Sequence, residues 1–484
     1  MKKFFYFLLL VLLVLIVVVL VRTFSATSKQ VEVAQAPPVP VSDSAIVHLQ
    51  KAIQFKTIST EAGTADTAAF NGFRAFLQQA FPLVHQHCQL EIISGQSMLF
   101  YWKGIDANIK PIILVGHYDV VPVEEESLPL WKADPFAGAI IGDSIYGRGA
   151  VDDKGSVMAI LEAIEQLLRE NYQPQGDVYL AFGHDEEATG QQGAKVLVPL
   201  LKQRGINPAF VLDEGGLVTA KEIPGVTKPV ALVGIAEKGY VTVDLSINIP
   251  GGHSSMPAKE TAIDQMSKAL LRLKENPFPA DLNHTINAFM DYMGPEMPFV
   301  QRMAFANRWL FSPLIKNIYS SRPGPDAMIR TTTAPTIVHS GVKENVIPTV
   351  ANATVNFRTL PGTTVDDVVK HMKEVIDDDR VTIKARSNNS SPQAVADVND
   401  HFFTYLQQCI RSWRNDVVVS PYLVLGATDG RYYTELTPNV FRFIPFNDVK
   451  GFHGTDERVG VDEYKKGIAF YYGLLRNWKG GSGR

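Results

Sequence analysis

Cysteine is almost absent from this chain: Cys88 and Cys409 are the only two in 484 residues. Two thiols cannot build a disulfide framework or a cysteine-rich metal centre. No block of lysine and arginine stands out, and the formal net charge is -4, so nucleic acid is not an expected partner. No internal repeat is visible. The Gly-Lys-Ser/Thr order of a phosphate-binding P-loop is also missing, because Lys154-Gly155-Ser156 reverses it. Long apolar runs are missing too, with one exception at the N-terminus. What remains has the composition of globular protein, and its length suits two domains with sizeable cores.

The exception is Phe4–Val21, apolar throughout, preceded by Lys2-Lys3 and closed by Arg22. A cleaved signal peptide has an apolar region of about 7–15 residues, whereas this run approaches the ~18 of a spanning helix. Residues 1–22 therefore read as an uncleaved signal-anchor, with Phe24-Ser25-Ala26 as a cleavage site in the secreted alternative. The lysines at its start place everything after it outside the cytoplasm. Residues 23–41, polar and then rich in proline, read as an exposed tether.

Beyond the tether, strand-like and helical patterns alternate. Pro111–Gly116, Asp177–Gly183 and Phe210–Asp213 are short continuous apolar runs, the pattern of strands buried on both faces. Leu90–Trp102 reads as a further strand. Helical periodicity marks Ser42–Phe55, Ala68–Phe81, Val157–Glu170 and Gly190–Arg204. This predicts an α/β fold with a mixed, largely parallel sheet flanked by helices over residues 42–238, resumed over 391–484. Between them, residues 239–390 alternate differently and predict a smaller inserted α+β domain. Within it, Pro277–Pro325 reads as an irregular or helical elaboration. Its apolar part, Phe299–Ile318, is a candidate lining for a hydrophobic pocket or, alternatively, plain core.

The polar clusters lie where an α/β sheet places its sites, beyond the carboxyl ends of strands. His117 and Asp119 follow the first apolar run, Asp185-Glu186-Glu187 the second, and Asp213-Glu214 the third. In Tyr146–Ser156, Gly147 and Gly149 permit a tight strand-to-helix connection, with Asp152 and Asp153 where the next helix begins. Those aspartates are helix caps or a metal ligand. Together with His453, the set offers imidazole and carboxylate without thiolate, which suits zinc or a similar ion in a hydrolytic site.

Five blocks then occur in one order: His117–Pro122, Gly147–Gly155, Asp185–Glu187, Gly252–Ser255 and His453–Glu457. They resemble the di-zinc aminoacylase/carboxypeptidase superfamily, which includes glutamate carboxypeptidase, succinyl-diaminopimelate desuccinylase and carboxypeptidase S. The likeness runs from about Ser42 to Trp478. Arg330–Thr333, Gly341–Pro348 and Asn356–Arg358 narrow it to carboxypeptidase S and the N-fatty-acyl-amino-acid synthase/hydrolases.

The resemblance implies roles. His117, Asp152 and Asp213 would hold one zinc; Glu187, His453 and the bridging Asp152 would hold the other, with Co²⁺ or Mn²⁺ as substitutes. Asp119 would orient His117. Glu186 would be the general base acting on a metal-bridged hydroxide. His253, from the inserted lid, would stabilise the oxyanion, reaching a partner subunit's site in a homodimer. Asn345 and Arg358 would grip a substrate carboxylate. Gly426–Arg431 resembles a substrate-side loop without assigned roles, and none falls to Asp153 or Glu214. The implied activity is hydrolysis of an amide bond next to a free carboxylate, in a small peptide or an N-acyl amino acid. The alternatives are a dipeptidase or deacetylase of small polar substrates, and an inactive binding protein on the same scaffold.

Overall fold

The computed structural model describes the chain except for residues 61–62, 65, 221–222, 224, 391–393, 448 and 481–484. The expected return to the larger domain after residue 390 adjoins residues 391–393, outside the described residues.

The N-terminal run forms helix α1 (Lys2–Ser25), with a mean hydropathy of 3.5 and almost every side chain exposed. By length and composition it is able to cross a membrane. The segment after it is largely exposed, as expected of a tether, but it is also bonded to the body. Gln30 exchanges two hydrogen bonds with the Val419 backbone, at 2.9 and 2.8 Å. Gln407 and Arg411 donate to the carbonyls of Lys29 and Val31, and the Ala36 amide donates to Ser412 O. Composition registers the lack of an apolar pattern here. It does not register that an extended backbone can be tied down through its own amides and carbonyls.

The first half of the larger domain contributes seven described strands to the large sheet: β1 (Gln89–Ile93), β2 (Ser97–Trp102), β3 (Ile112–His117), β4 (Val178–Gly183), β5 (Phe210–Asp213), β6 (Val218–Thr219) and β7 (Val230–Glu237). The inserted unit contributes β8 (Gly239–Asn248), β9 (Thr332–Ser340), β10 (Val350–Thr359) and β11 (Val381–Ala385), and β12 (Val418–Val424) and β13 (Val440–Arg442) follow. The large sheet runs β6-β7-β13-β5-β3-β4-β2-β1, with β12 also beside β7. It is parallel from β13 through β4 and antiparallel at β2 and β1. Leu90–Trp102 is thus a hairpin rather than one strand, since Ser94 and Gly95 take positive φ and turn the chain.

Helix α2 (Lys154–Arg169) starts directly after the Asp152-Asp153 pair. It is buried on nearly all sides between the sheet and the terminal helix Val461–Asn477. β3, β4 and β5 are buried at every position, as continuous apolar runs require when helices cover both faces.

The smaller sheet, β9-β10-β8-β11, is antiparallel. Helices α3 (Ala262–Glu275) and α4 (Val365–Ile376) bury Met266, Val368 and Met372 against Val243, Leu245 and Phe357. Each begins with a capping box, Thr261 with Asp264 and Thr364 with Asp367. The 277–325 elaboration is helical; Phe278 at its start packs on Phe357 of this smaller sheet, but most of its apolar residues go elsewhere. Phe289, Met293, Phe305 and Ile315 cluster instead with Val230, Leu232 and Val418 of β7 and β12. Its apolar stripes cover a part of the large sheet that local pattern alone could not pair with them.

Candidate metal centre

Strand ends and loops deliver the polar side chains to one place. His117 closes β3, and its Nε2 lies 3.0 Å from Asp152 Oδ1 and 3.3 Å from Glu214 Oε1. Its Nδ1 faces the Asp119 backbone oxygen at 3.1 Å and Asp119 Oδ1 at 3.3 Å. A proton on Nδ1 is therefore shared with Asp119, leaving Nε2 as the lone-pair donor toward the cleft. Asp119 also accepts from the Glu186 and Glu187 amides, both at 3.2 Å, and from the Ser59 hydroxyl. One buried carboxylate thus ties the His117 ring to the turn that carries both glutamates.

On the opposite side, His453 Nε2 stands 3.1 Å from Asp152 Oδ2 and 3.1 Å from Glu187 Oε2. The two oxygens of Asp152 accordingly face two different imidazoles. Asp153 does something else, accepting from the His117 amide at 3.3 Å. A Cβ on Gly116 would come within 2.8 Å of that carboxylate, so β3 needs glycine there. The peptide bond joining the two aspartates is cis.

Glu457, given no role from sequence, organises the loop that holds Asp152. It is wholly buried and accepts from the amides of Gly149, Val151 and Asp152 at 2.9–3.1 Å and from Arg148 Nη1 at 2.6 Å. Arg148 also donates to Gly454 O, beside His453, so this pair ties both loops together. Sequence offered one signal for it, an acidic residue inside a motif block, with nothing to show where it pointed.

Asp213 stands differently from its expected partner His117: its Oδ2 accepts from the Gly430 amide at 2.6 Å. Neighbouring residues of an extended chain point to opposite faces, so at the end of β5 it is Glu214 that reaches His117. The structure brings together His117, Asp152, Glu187, His453 and Glu214, with Glu186 and Asp119 alongside; it leaves out Asp213.

Three expected residues stand apart. His253 lies exposed on a short strand paired antiparallel with Val346–Ile347, its Nδ1 2.8 Å from Ser255 Oγ. Asn345 adjoins it, its carbonyl accepting from the Ser254 amide at 3.2 Å. Arg358, half-buried on β10, stacks over Tyr240 with its guanidinium carbon 4.7 Å from the ring centre. Among the described residues, none of these three makes a hydrogen bond or ion pair with the carboxylate–imidazole cluster.

Electrostatics set the cluster apart. Burial, with the carboxylates of Asp429, Glu214 and Glu187 nearby, holds Glu186 well above the usual range, opposed by His117. Burial, then Asp152, pushes Glu214 up to about 8. Hydrogen bonds to Asp152 and Glu187 push His453 up to about 10. Among the described residues, Glu187 Oε1 is buried without a hydrogen-bond partner. Crowded carboxylates with a vacant buried oxygen are the donor set a divalent cation satisfies.

The neighbouring loop rests on a buried ion pair. Glu237 Oε2 accepts from Arg442 Nε at 2.9 Å and from the amide and hydroxyl of Thr428 at 3.1 and 3.0 Å. Replacing Arg442 by Met strands the Glu237 charge, and we expect it to lower unfolding free energy by about 3–5 kcal/mol in urea titrations. A loss below ~1 kcal/mol would show that the pair is dispensable.

Comparison with known proteins places the chain in a family. The model of "Peptidase family M20/M25/M40" matches residues 113–477. "Probable carboxypeptidase S-like 2" of Dictyostelium discoideum is 43% identical over 474 residues, covering 95% of this chain and 91% of that one. The human "N-fatty-acyl-amino acid synthase/hydrolase PM20D1" is 38% identical over 439 residues, covering 89% and 86%. Among solved structures, the M20 family metallo-carboxypeptidase Sso-CP2 from Sulfolobus solfataricus superposes with a TM-score of 0.66 at 19% identity, covering 90% of this chain and 99% of that one. A dinuclear metal binding M20 peptidase of Bacillus subtilis gives a TM-score of 0.55 at 14% identity, covering 90% and 98%. With the motif blocks in order, the mixed sheet beneath them and a family match over most of its length, the chain belongs to peptidase family M20/M25/M40 and is a metallopeptidase-class hydrolase of that family.

Proposed function

We propose that this enzyme uses two divalent metal ions to hydrolyse an amide bond beside a free carboxylate, in a small peptide or an N-acyl amino acid. The observation that carries the reading is Asp152, whose two oxygens face His117 and His453 separately. His117, Asp152 and Glu214 would hold one ion; His453, Glu187 and Asp152 the other. Nitrogen and oxygen donors without thiolate suit zinc, with Co²⁺ or Mn²⁺ as substitutes. When bound, such ions polarise the amide carbonyl and acidify water between them.

The chain's own residues supply the rest. Glu186 sits beside Glu187 on the turn fixed by Asp119, free to take a proton from the attacking water and return it to the leaving amine. Arg358 and Asn345 would bind the substrate carboxylate, Arg358 through paired parallel donors. His253 would steady the developing oxyanion; its exposure on the smaller domain suits service in a second copy's site. Helix α1 would anchor the enzyme in a membrane, with the catalytic body on the extracytoplasmic side.

The test is a substrate panel. Metal-loaded enzyme should turn over N-acyl amino acids or C-terminal peptide bonds and lose activity when the substrate carboxylate is amidated. Equal turnover of the amidated series would remove the carboxylate requirement, and turnover confined to small dipeptides would select the dipeptidase reading.

Chelation should reveal the repulsion among the carboxylates. Between the ordinary glutamate value of 4.5 and about 8, folded Glu214 keeps a proton that the unfolded chain releases. Folded His453 likewise keeps one from 6.5 up to about 10. More protons on the folded state means stability falls as pH rises. Asp152 is shifted downward and adds a constant contribution above the acid range. The apo protein should therefore melt at lower temperature at about pH 8 than at about pH 5, and added Zn²⁺ should raise Tm most at the higher pH. An apo Tm that rises between those values would contradict this charge balance.

A further inference from the structure

Helices α5 (Phe299–Ala306) and α6 (Arg308–Tyr319) of the 277–325 elaboration meet at a corner beside the end of α1. Their inner sides carry Phe305 and Ile315 into the cluster with β7 and β12. The outer side of α6 is the reverse of a normal surface helix. Trp309, Leu310, Leu314 and Ile318 recur at helical spacing and are 54%, 37%, 52% and 57% exposed. Phe299 and Val300, at the start of α5, are exposed as well. The sequence left this stretch as pocket lining or core; its outer stripe is neither.

What lies against this corner sets its depth. Asn307, where α5 meets α6, donates to Val19 O and to the Thr23 hydroxyl, both at 3.1 Å. Arg302 donates to the carbonyls of Thr23 and Ala26 at 2.9 and 2.5 Å, and Arg22 to Ala306 O at 3.3 Å. These bonds satisfy carbonyls that a helix end leaves without partners. Phe24 packs on Phe299 with ring centres 5.9 Å apart. Val19 and Thr23, alone in α1, are buried by this contact. Val19 belongs to the apolar run itself, so a corner that touches it reaches the edge of whatever hydrocarbon layer α1 crosses. The strap through Gln30, Lys29 and Val31 prevents the body from swinging away.

We propose that the α5–α6 corner is a second membrane contact, lying in the outer interface of the bilayer that α1 spans. The proposal rests on the anchor reading of α1. A tryptophan at the interface, an apolar stripe below it and basic residues beside it fit such a position. Arg22, Arg302, Arg308 and Lys316 supply the positive charge; Arg308 is shared with Asp291 at 2.7 Å, and Glu296 lies nearby, bonded to Ser28. The enzyme body is thereby docked on the membrane through two adjoining elements.

The test uses the full chain in phosphatidylcholine–phosphatidylglycerol vesicles, with an environment-sensitive fluorophore on single introduced cysteines. Cys88 and Cys409 are buried with thiols pushed up to about 12, so they stay unlabelled. Probes at Leu314→Cys and Ile318→Cys should lose access to aqueous iodide and be quenched by brominated lipid. Leu12→Cys in α1 should behave alike, and Lys370→Cys on α4 should keep its iodide access. Iodide access at 314 and 318 with protection at 12 would overturn the second contact and leave the anchor standing. Access at all three would overturn both. Protection from iodide without quenching by brominated lipid would assign the stripe to a second copy or another protein, and the proposal would fail.

Discussion

Replacing Glu186 by Gln should cut turnover by about 10²- to 10⁴-fold while both metal ions stay bound. That range corresponds to about 3–5 kcal/mol of barrier. Glu186 and Glu187 leave the same turn, their amides held by the two oxygens of Asp119, yet their side chains diverge. Glu187 meets His453 at 3.1 Å, whereas no polar side-chain bond from Glu186 to either histidine is found among the described residues. A carboxylate raised by burial, with an oxygen within 4.8 Å of the donor atoms of His117 and Glu214, is suited to carrying a proton through the proposed reaction, and metal content tells that role from ligation. Gln keeps the shape and removes the proton-accepting oxygen. Elemental analysis with steady-state kinetics separates the outcomes: unchanged metal with lost kcat supports the role, and full metal with undiminished hydrolysis ends it.

The second large effect separates two adjacent acids. Glu214→Ala should lower bound metal from about two ions per chain toward one, and remove carbonyl polarisation worth several kcal/mol. Asp213→Asn should keep both ions, because the Asn oxygen can still accept from the Gly430 amide. Glu214 Oε1 stands 3.3 Å from His117 Nε2, whereas Asp213 Oδ2 is engaged by the Gly430 amide. The reverse result, metal lost from Asp213→Asn and retained by Glu214→Ala, would restore the assignment made from motif resemblance.

Much of the architecture was legible without coordinates. Continuous apolar runs ending in acids mark β3, β4 and β5 because a sheet covered on both faces has no polar side and ends where water begins. The strand Phe210–Asp213 has the bounds its apolar run suggests. Recognising Asp152 needed the family motif, since two adjacent aspartates at one helix start are equivalent in composition. The side chains part company only in space, Asp152 toward the imidazoles and Asp153 toward the β3 backbone.

Three matters stayed beyond the sequence for one reason: each depends on partners far away along the chain. Glu457 is an ordinary acid until the Gly149–Asp152 amides converge on it. The proline-rich segment is a tether until Val419 and Ser412 tie it down. Phe299–Ile318 is an apolar stretch until the large sheet takes one face and leaves the other outside. The chemistry available to this protein, imidazole and carboxylate at strand ends, is set by local pattern and residue type. Which carboxylate meets which imidazole is decided by strand pleat and loop packing, because adjacent side chains point apart and only the folded chain determines which face lines the cleft.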